Sequence, residues 1–241
     1  MSYPWQERTL LLMGEERLQK LADAVVAVIG LGGVGAYAAE MLARSGVGHM
    51  IILDSDCVAE SNKNRQLLAL DSNMGRKKVE VMATRLRDIN PALEMTLIDE
   101  YLTQDNVEAL LSPFKLDFLV DAIDTLTPKL SLINYCVKAG IPLVSSMGAG
   151  AKYDVTKVRL TDLSKSRNCP LAYIVRKKLR KMGIEKGFPV VYSEELPDND
   201  AIVETKGETN KKSQVGTISY LPAVFGCACA QAAIRHIIDM N

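Results

Sequence analysis

The 241-residue sequence predicts an α/β fold: a Rossmann-like, mostly parallel sheet with helices on both faces, followed by a C-terminal extension of mixed strands and a terminal helix. Three observations predict it. Short apolar runs alternate with segments of helical periodicity from residue 25 to about residue 146. A glycine-rich turn, GLGGVG at 30–35, separates the first apolar run from the helix after it. A composition of 48% apolar and 24% charged residues lets a chain of this length bury one substantial core.

Taken in order, residues 7 to 20 read as an amphipathic helix, with Leu10, Leu11, Leu18 and Leu21 on one side and Glu15, Glu16, Arg17 and Lys20 in water. The run VVAVI at 25–29 is a buried strand, residues 34 to 45 an alanine-rich helix, and HMIILD at 49–54 the second strand, so the opening is a β-α-β unit. A helix across 75–89 must stop near Asn90-Pro91, because the residue before proline is pushed out of the helical region. Strands at 94–99, 117–122 and 141–146 and a helix at 127–139 continue the alternation. Beyond Gly150 a strand at 157–163, a helix at 170–184 with Pro170 in its first turn, and a strand at 189–195 follow. Residues 198–215 are polar with few apolar anchors and read as a mobile surface loop, and 222–240 is an apolar helix. One domain spanning 1–241 is expected, its core about 20–150 and its extension about 151–241.

The 29 basic residues balance 29 acidic ones, so any polyanion must be met by a local surface rather than by net charge. The five cysteines never form a C-x-x-C pair, which disfavours a disulfide framework or a zinc ribbon. No apolar run approaches the ~18 residues of a membrane span, and a cytoplasmic location is expected.

Gly30, Gly32 and Gly35 complete G-x-G-x-x-G in the strand-turn-helix setting that gives the pattern its meaning. The first permits the tight turn, the second lets backbone N–H groups approach a phosphate, and the third lets helix and strand pack closely. Asp54, at the tip of the second strand, stands where an acid accepts hydrogen bonds from ribose hydroxyls. The motif says nucleotide without saying which. Just past Asp54, the stretch SDCVAESNKNRQ gathers acids, asparagines and Arg65, which can fork onto phosphate oxygens, and Lys78 adds a point charge. Asp124 offers a hard oxygen for Mg²⁺. Taken singly, Arg65 and Lys78 also fit solvated surface charges, and Asp124 also fits a helix cap.

The motifs GLGGVG at 30–35, D-x-D at 54–56, N-x-x-R-Q at 62–66, Lys78 in G-x-x-K-V-E and DAID at 121–124 resemble the ubiquitin-activating-enzyme-like adenylyltransferases of the ThiF and MoeB type. Within them, SNKNRQ, DINPALE, SSMGAG, TDLSKS, RKKLRKMGI and YSEELP are most similar to the tRNA threonylcarbamoyladenosine dehydratases, across nearly the whole chain. The resemblance implies that Gly30, Gly32, Gly33, Asp54, Asp56, Asn62, Arg65, Lys78 and Asp124 bind ATP, with Mg²⁺ on Asp124. It implies catalytic roles for Arg65, Lys78 and Asp124, and for an Arg8 lent across a homodimer. It implies ATP-dependent dehydration of the modified adenosine in tRNA, with a sulfur-transfer protein as a possible partner. A sulfur-carrier-activating enzyme and an NAD-binding oxidoreductase are the alternatives. Cys169 stands where such dehydratases often carry an acid, and a lone cysteine before proline fits packing. The densest basic stretch, with Arg176, Lys177, Lys178, Arg180 and Lys181 near Lys157, Arg159, Lys165 and Arg167, fits either a tRNA-facing surface or a solvated helix face.

Overall fold

The computed structural model describes residues 4–204 and 213–239. Two short helices, α1 (Glu7–Met13) and α2 (Glu15–Asp23), lead into β1 (Val25–Ile29), α3 (Gly35–Arg44) and β2 (His49–Leu53). Then come α4 (Lys78–Ile89), β3 (Glu94–Ile98), α5 (Val107–Leu111), β4 (Phe118–Asp121), α6 (Leu126–Ala139) and β5 (Leu143–Ser146). The C-terminal part holds β6 (Val158–Asp162), α7 (Pro170–Arg180), β7 (Pro189–Ser193), β8 (Ile202–Glu204), β9 (Ser213–Val215) and α8 (Tyr220–Ile237).

Seven strands form one sheet in the order β3-β2-β1-β4-β5-β7-β6. All neighbours are parallel except β6, which runs antiparallel to β7. Successive side chains of a strand point to opposite faces, and β1 shows what that does here. Val26 and Val28 enter the core under α3, α4 and α8, while Ala27 and Ile29 enter the second core under α5, α6 and α7. Both faces of the central strands are covered, which is why their sequences read as unbroken apolar runs.

The structure departs from the sequence reading at several places. Gly14, at φ +80 and ψ 166, divides the expected 7–20 helix in two, and Leu11 is 81% exposed instead of sharing the buried side with Leu18 and Leu21. The helix expected from residue 75 starts at Lys78, the 170–184 helix ends at Arg180, and α5 was not foreseen. The expected 198–215 loop is structured at both ends, where β8 and β9 pair antiparallel; the turn between them lies outside the described residues. No described helix is long and apolar enough to cross a membrane.

A buried ion pair sits where β4, β5 and α6 meet. Lys129 and Asp121 are both fully buried, with Lys129 Nζ 2.6 Å from Asp121 Oδ2. Nζ also donates to Ser145 Oγ at 3.2 Å and the Ser146 carbonyl at 2.9 Å. Asp121 further accepts from Ser145 Oγ at 2.5 Å and from the Ile123 amide at 3.1 Å. The desolvation cost of each charge is offset by its partner and by these hydrogen bonds, so the pair is stable only as a pair. Lys129→Met, which strands the Asp121 charge, is therefore expected to cost about 3–5 kcal/mol of stability, whereas Asp121→Asn with Lys129→Met recovers most of it. Urea unfolding of the two variants checks this.

Candidate active site

The glycine loop follows β1 at the carboxyl edge of the sheet. Gly30 has φ +92, and a Cβ there would lie 2.9 Å from the Ala122 carbonyl oxygen, so the tight turn needs glycine on both counts. At Gly35 a Cβ would stand 1.7 Å from the Gly30 carbonyl oxygen, which is the close helix-strand approach expected of the third glycine. Gly32 differs. A Cβ there would meet nothing nearer than Gln66 Nε2 at 3.7 Å, so the protein's own packing does not demand glycine at this point. The α3 N-cap, Val34, makes no side-chain cap, and of the first amides of that helix Ala36 donates to the Gly32 carbonyl at 3.3 Å.

Asp54 locks this loop to β2. Its Oδ2 accepts from the Leu31 amide at 2.6 Å and its Oδ1 from the Asp56 amide at 2.8 Å. Burial pushes its carboxyl pKa up, while the Lys78 charge and these amides pull the other way. Lys78, first residue of α4 and 3% exposed, places Nζ 2.8 Å from Asp56 Oδ2 and 3.9 Å from Asp54 Oδ1.

The segment after β2 folds back over the glycine loop. Asn62 Oδ1 accepts from the Ala59 amide at 3.3 Å and ends a short 3₁₀ turn, Glu60–Asn62. A Cβ on Gly33 would be 3.4 Å from the Arg65 carbonyl oxygen, so Arg65 lies directly against the loop. Its Nη1 donates to the Ser61 carbonyl at 3.0 Å and Asn64 Oδ1 at 2.8 Å, which holds one arm of the fork and leaves the other. Asp124 is exposed just past β4. The N-cap of α6 is Thr125, not Asp124.

Thus Gly30, Gly32, Gly33, Asp54, Asp56, Asn62, Arg65, Lys78 and Asp124 all stand at or beyond the carboxyl ends of β1, β2 and β4, where α/β sheets hold their ligands. Arg8 does not join them. It is exposed on α1, and the preceding Gln6 packs on Gly46, whose Cβ would lie 2.5 Å from Gln6 Nε2, at the opposite edge of the sheet.

The basic stretch is less uniform than its sequence. The Arg176 guanidinium is spent on Ser166, donating to its carbonyl and hydroxyl oxygens. Arg159 and Arg167 share Glu194 at 3.3 and 2.6 Å, and Lys157 lies 3.9 Å from Asp154. Arg180 stands 3.6 Å from Glu185, while Lys177, Lys178 and Lys181 are exposed and have no described carboxylate within ion-pair distance. Cys169 is 5% exposed at the N-cap of α7, buried as a packing residue would be.

Sequence reasoning missed the Asp121–Lys129 pair and Lys152. Lys152 is 3% exposed, its Nζ donates to the Ser193 carbonyl at 2.9 Å, and burial pushes its pKa down. Also missed was a tether: Asn64 Nδ2 donates to the Thr217 carbonyl at 2.9 Å, tying the foot of the β8–β9 pair to the Arg65 segment. A lysine eight residues beyond an aspartate carries no signal until the strand-to-helix turn brings the two together.

A parallel sheet whose first loop is shaped for a phosphate, with two basic groups and two acids around it, defines a Rossmann-type nucleotide-binding protein. The chain belongs to the ThiF family, whose pattern it matches over residues 6–241. It is 46% identical over 190 residues to the tRNA threonylcarbamoyladenosine dehydratase of Bacillus subtilis (strain 168), covering 79% of this chain and 74% of the relative. Against the dehydratase of Escherichia coli (strain K12) the identity is 38%, covering 99% of this chain and 96% of the other. The crystal structure of the E. coli dehydratase TcdA in complex with ATP superposes with a TM-score of 0.89 at 37% identity, covering 99% and 96% of the two chains.

The glycines make a discriminating pair of variants. Gly35→Ala, with no room for its Cβ, is expected to lower the thermal midpoint sharply. Gly32→Ala, with an ordinary 3.7 Å contact, is expected to melt as the parent does yet lose the added stability that ATP confers. Melting curves with and without ATP check both.

Proposed function

We propose that this chain is an ATP-dependent tRNA threonylcarbamoyladenosine dehydratase. The observation that carries the reading is the end-to-end similarity to the E. coli enzyme, together with a carboxyl sheet edge that gathers the nucleotide-binding groups on three strand ends.

A carboxylate resists nucleophiles because oxide is a poor leaving group. In the proposed reaction an oxygen of the threonyl carboxylate attacks the α-phosphorus of ATP, and pyrophosphate departs. The resulting mixed anhydride carries AMP as its leaving group. The carbamoyl group on the same side chain then attacks the acyl carbon, gives up a proton and expels AMP. The modified nucleoside has lost one water, whose oxygen leaves with AMP. Both reacting groups belong to one side chain, so the enzyme's work is positioning and charge neutralisation, with no covalent cysteine.

Lys78 and Arg65 neutralise the phosphates beside the glycine loop. Asp124 would hold Mg²⁺ together with those phosphates, and the bound ion supplies further charge withdrawal. An exposed hard-oxygen ligand beside a phosphate loop suits an ion that keeps most of its shell as water and phosphate oxygen. Arg8 comes from a second copy of the chain. Supporting a homodimer, Leu11 and Leu12 on α1 are 81% and 80% exposed near Arg8, an apolar surface of the sort a partner covers.

Incubation with ATP, Mg²⁺ and tRNA bearing the modified adenosine, followed by nucleoside mass analysis, is expected to show loss of one water. Lys78→Ala and Asp124→Ala are each expected to cut AMP release about 10²- to 10³-fold. Near-normal turnover in both removes ATP activation from the reading. Arg8→Ala and Lys78→Ala, each strongly impaired alone, are expected to regain activity when mixed and allowed to exchange subunits; no recovery rules out a donated arginine.

A further inference from the structure

The buried stripe of α7 consists of Ala172, Val175 and Leu179. The opposite side carries Tyr173, 58% exposed, with Lys177 and Lys181 following at intervals of four, so the three form one continuous stripe down the helix. The Tyr173 ring, in the first turns of the helix beside the 40% exposed Ile174, is left in water and gains nothing for the fold.

The position of that ring is set by how α7 begins. Asn168 Nδ2 donates to the Glu194 carbonyl at 2.8 Å, just past the carboxyl end of β7, and a Cβ on Gly148 would lie 3.8 Å from Leu171 Cβ. The first turn of α7 is thereby fixed to the sheet edge that carries the candidate active site, on the β5–β7 side of the nucleotide loop. The stripe starts with an aromatic face on the helical turn anchored at this sheet edge and runs on through unpaired ammonium groups: no described carboxylate lies within ion-pair distance of Lys177 or Lys181.

We infer that Tyr173 is a stacking platform for a single-stranded nucleotide flanking the modified adenosine, and that Lys177 and Lys181 carry the phosphates of the strand running on from it. The inference rests on the dehydratase reading above. A modified base enters a crevice most cheaply where the strand is unpaired, and bases splayed from a loop are held by aromatic faces with backbone phosphates on nearby cations. The spacing of the stripe, ring first and charges after, suits such a strand. The basic surface is thus narrower than the sequence suggests, without Arg176 and with a tyrosine at its head.

The test is tRNA affinity by titration at several salt concentrations, using the full chain and tRNA carrying the modified adenosine. Tyr173→Ala is expected to weaken binding about 5- to 150-fold, and Tyr173→Trp to restore it. Lys177→Glu with Lys181→Glu is expected to flatten the dependence of log affinity on log salt by about 1.4 to 1.8, two phosphate contacts' worth. ATP binding is expected to be unchanged in all three. If the parent dehydrates the tRNA but Tyr173→Ala binds it as tightly as the parent, the strand docks elsewhere and the inference fails while the dehydratase reading stands. If Tyr173→Ala loses ATP binding as well, the ring supports the site structurally and the inference also fails. A parent that leaves the modified adenosine intact overturns the reading itself.

Discussion

The arrangement of the site depends on one carboxylate. Asp54 accepts the Leu31 amide from the glycine loop with one oxygen and the Asp56 amide from its own strand end with the other, and it does so at the rim of the core. The β1 and β2 loops are thereby fixed to each other, and Lys78 is drawn under both by the two acids. The glycine loop receives its shape from backbone sterics at Gly30 and Gly35, and its placement relative to the next strand from this side chain together with the Gly30 amide, which donates to the Leu53 carbonyl at 2.7 Å. Each Asp54 oxygen thus spends one of its two lone pairs on holding the cradle.

Charge is distributed in a way the balanced total conceals. The three lysines buried among the described residues, Lys78, Lys129 and Lys152, all sit at the carboxyl edge of the sheet. They follow or face β2, β5 and β7 in turn. A buried ammonium is costly to desolvate, and two of the three are offset by carboxylates, Lys78 by Asp54 and Asp56 and Lys129 by Asp121, while Lys152 has the Ser193 carbonyl. On the surface, Arg159, Arg167, Lys157 and Arg180 are paired with Glu194, Asp154 and Glu185, whereas Lys177, Lys178 and Lys181 have no described carboxylate within ion-pair distance.

Much of this was legible in the sequence, and the reasons differ by element. The central strands were readable because burial on both faces forces continuous apolar runs, and the glycine loop because two of its positions exclude any Cβ. Asp54, Arg65, Lys78 and Asp124 could be placed at one edge because each follows or opens an element whose direction the parallel topology dictates. The rest was hidden for physical reasons. The Asp121–Lys129 pair looks like two surface charges until tertiary packing buries both. Arg176 looks free until Ser166 engages it. Periodicity alone could not reveal that Gly14 would adopt a left-handed φ and split the first helix, nor that a polar stretch would pair its two ends as β8 and β9.

The tether from Asn64 to the Thr217 carbonyl gives the molecule a thermodynamic property as well as a shape. One end belongs to the segment that lays Arg65 on the glycine loop, and the other to the foot of a hairpin whose Gly216 carbonyl also takes the Ala151 amide at 2.7 Å. A ligand that shifts this hairpin at Thr217 therefore pulls on the Arg65 segment, and by reciprocity a ligand that moves the Arg65 segment pulls on the hairpin.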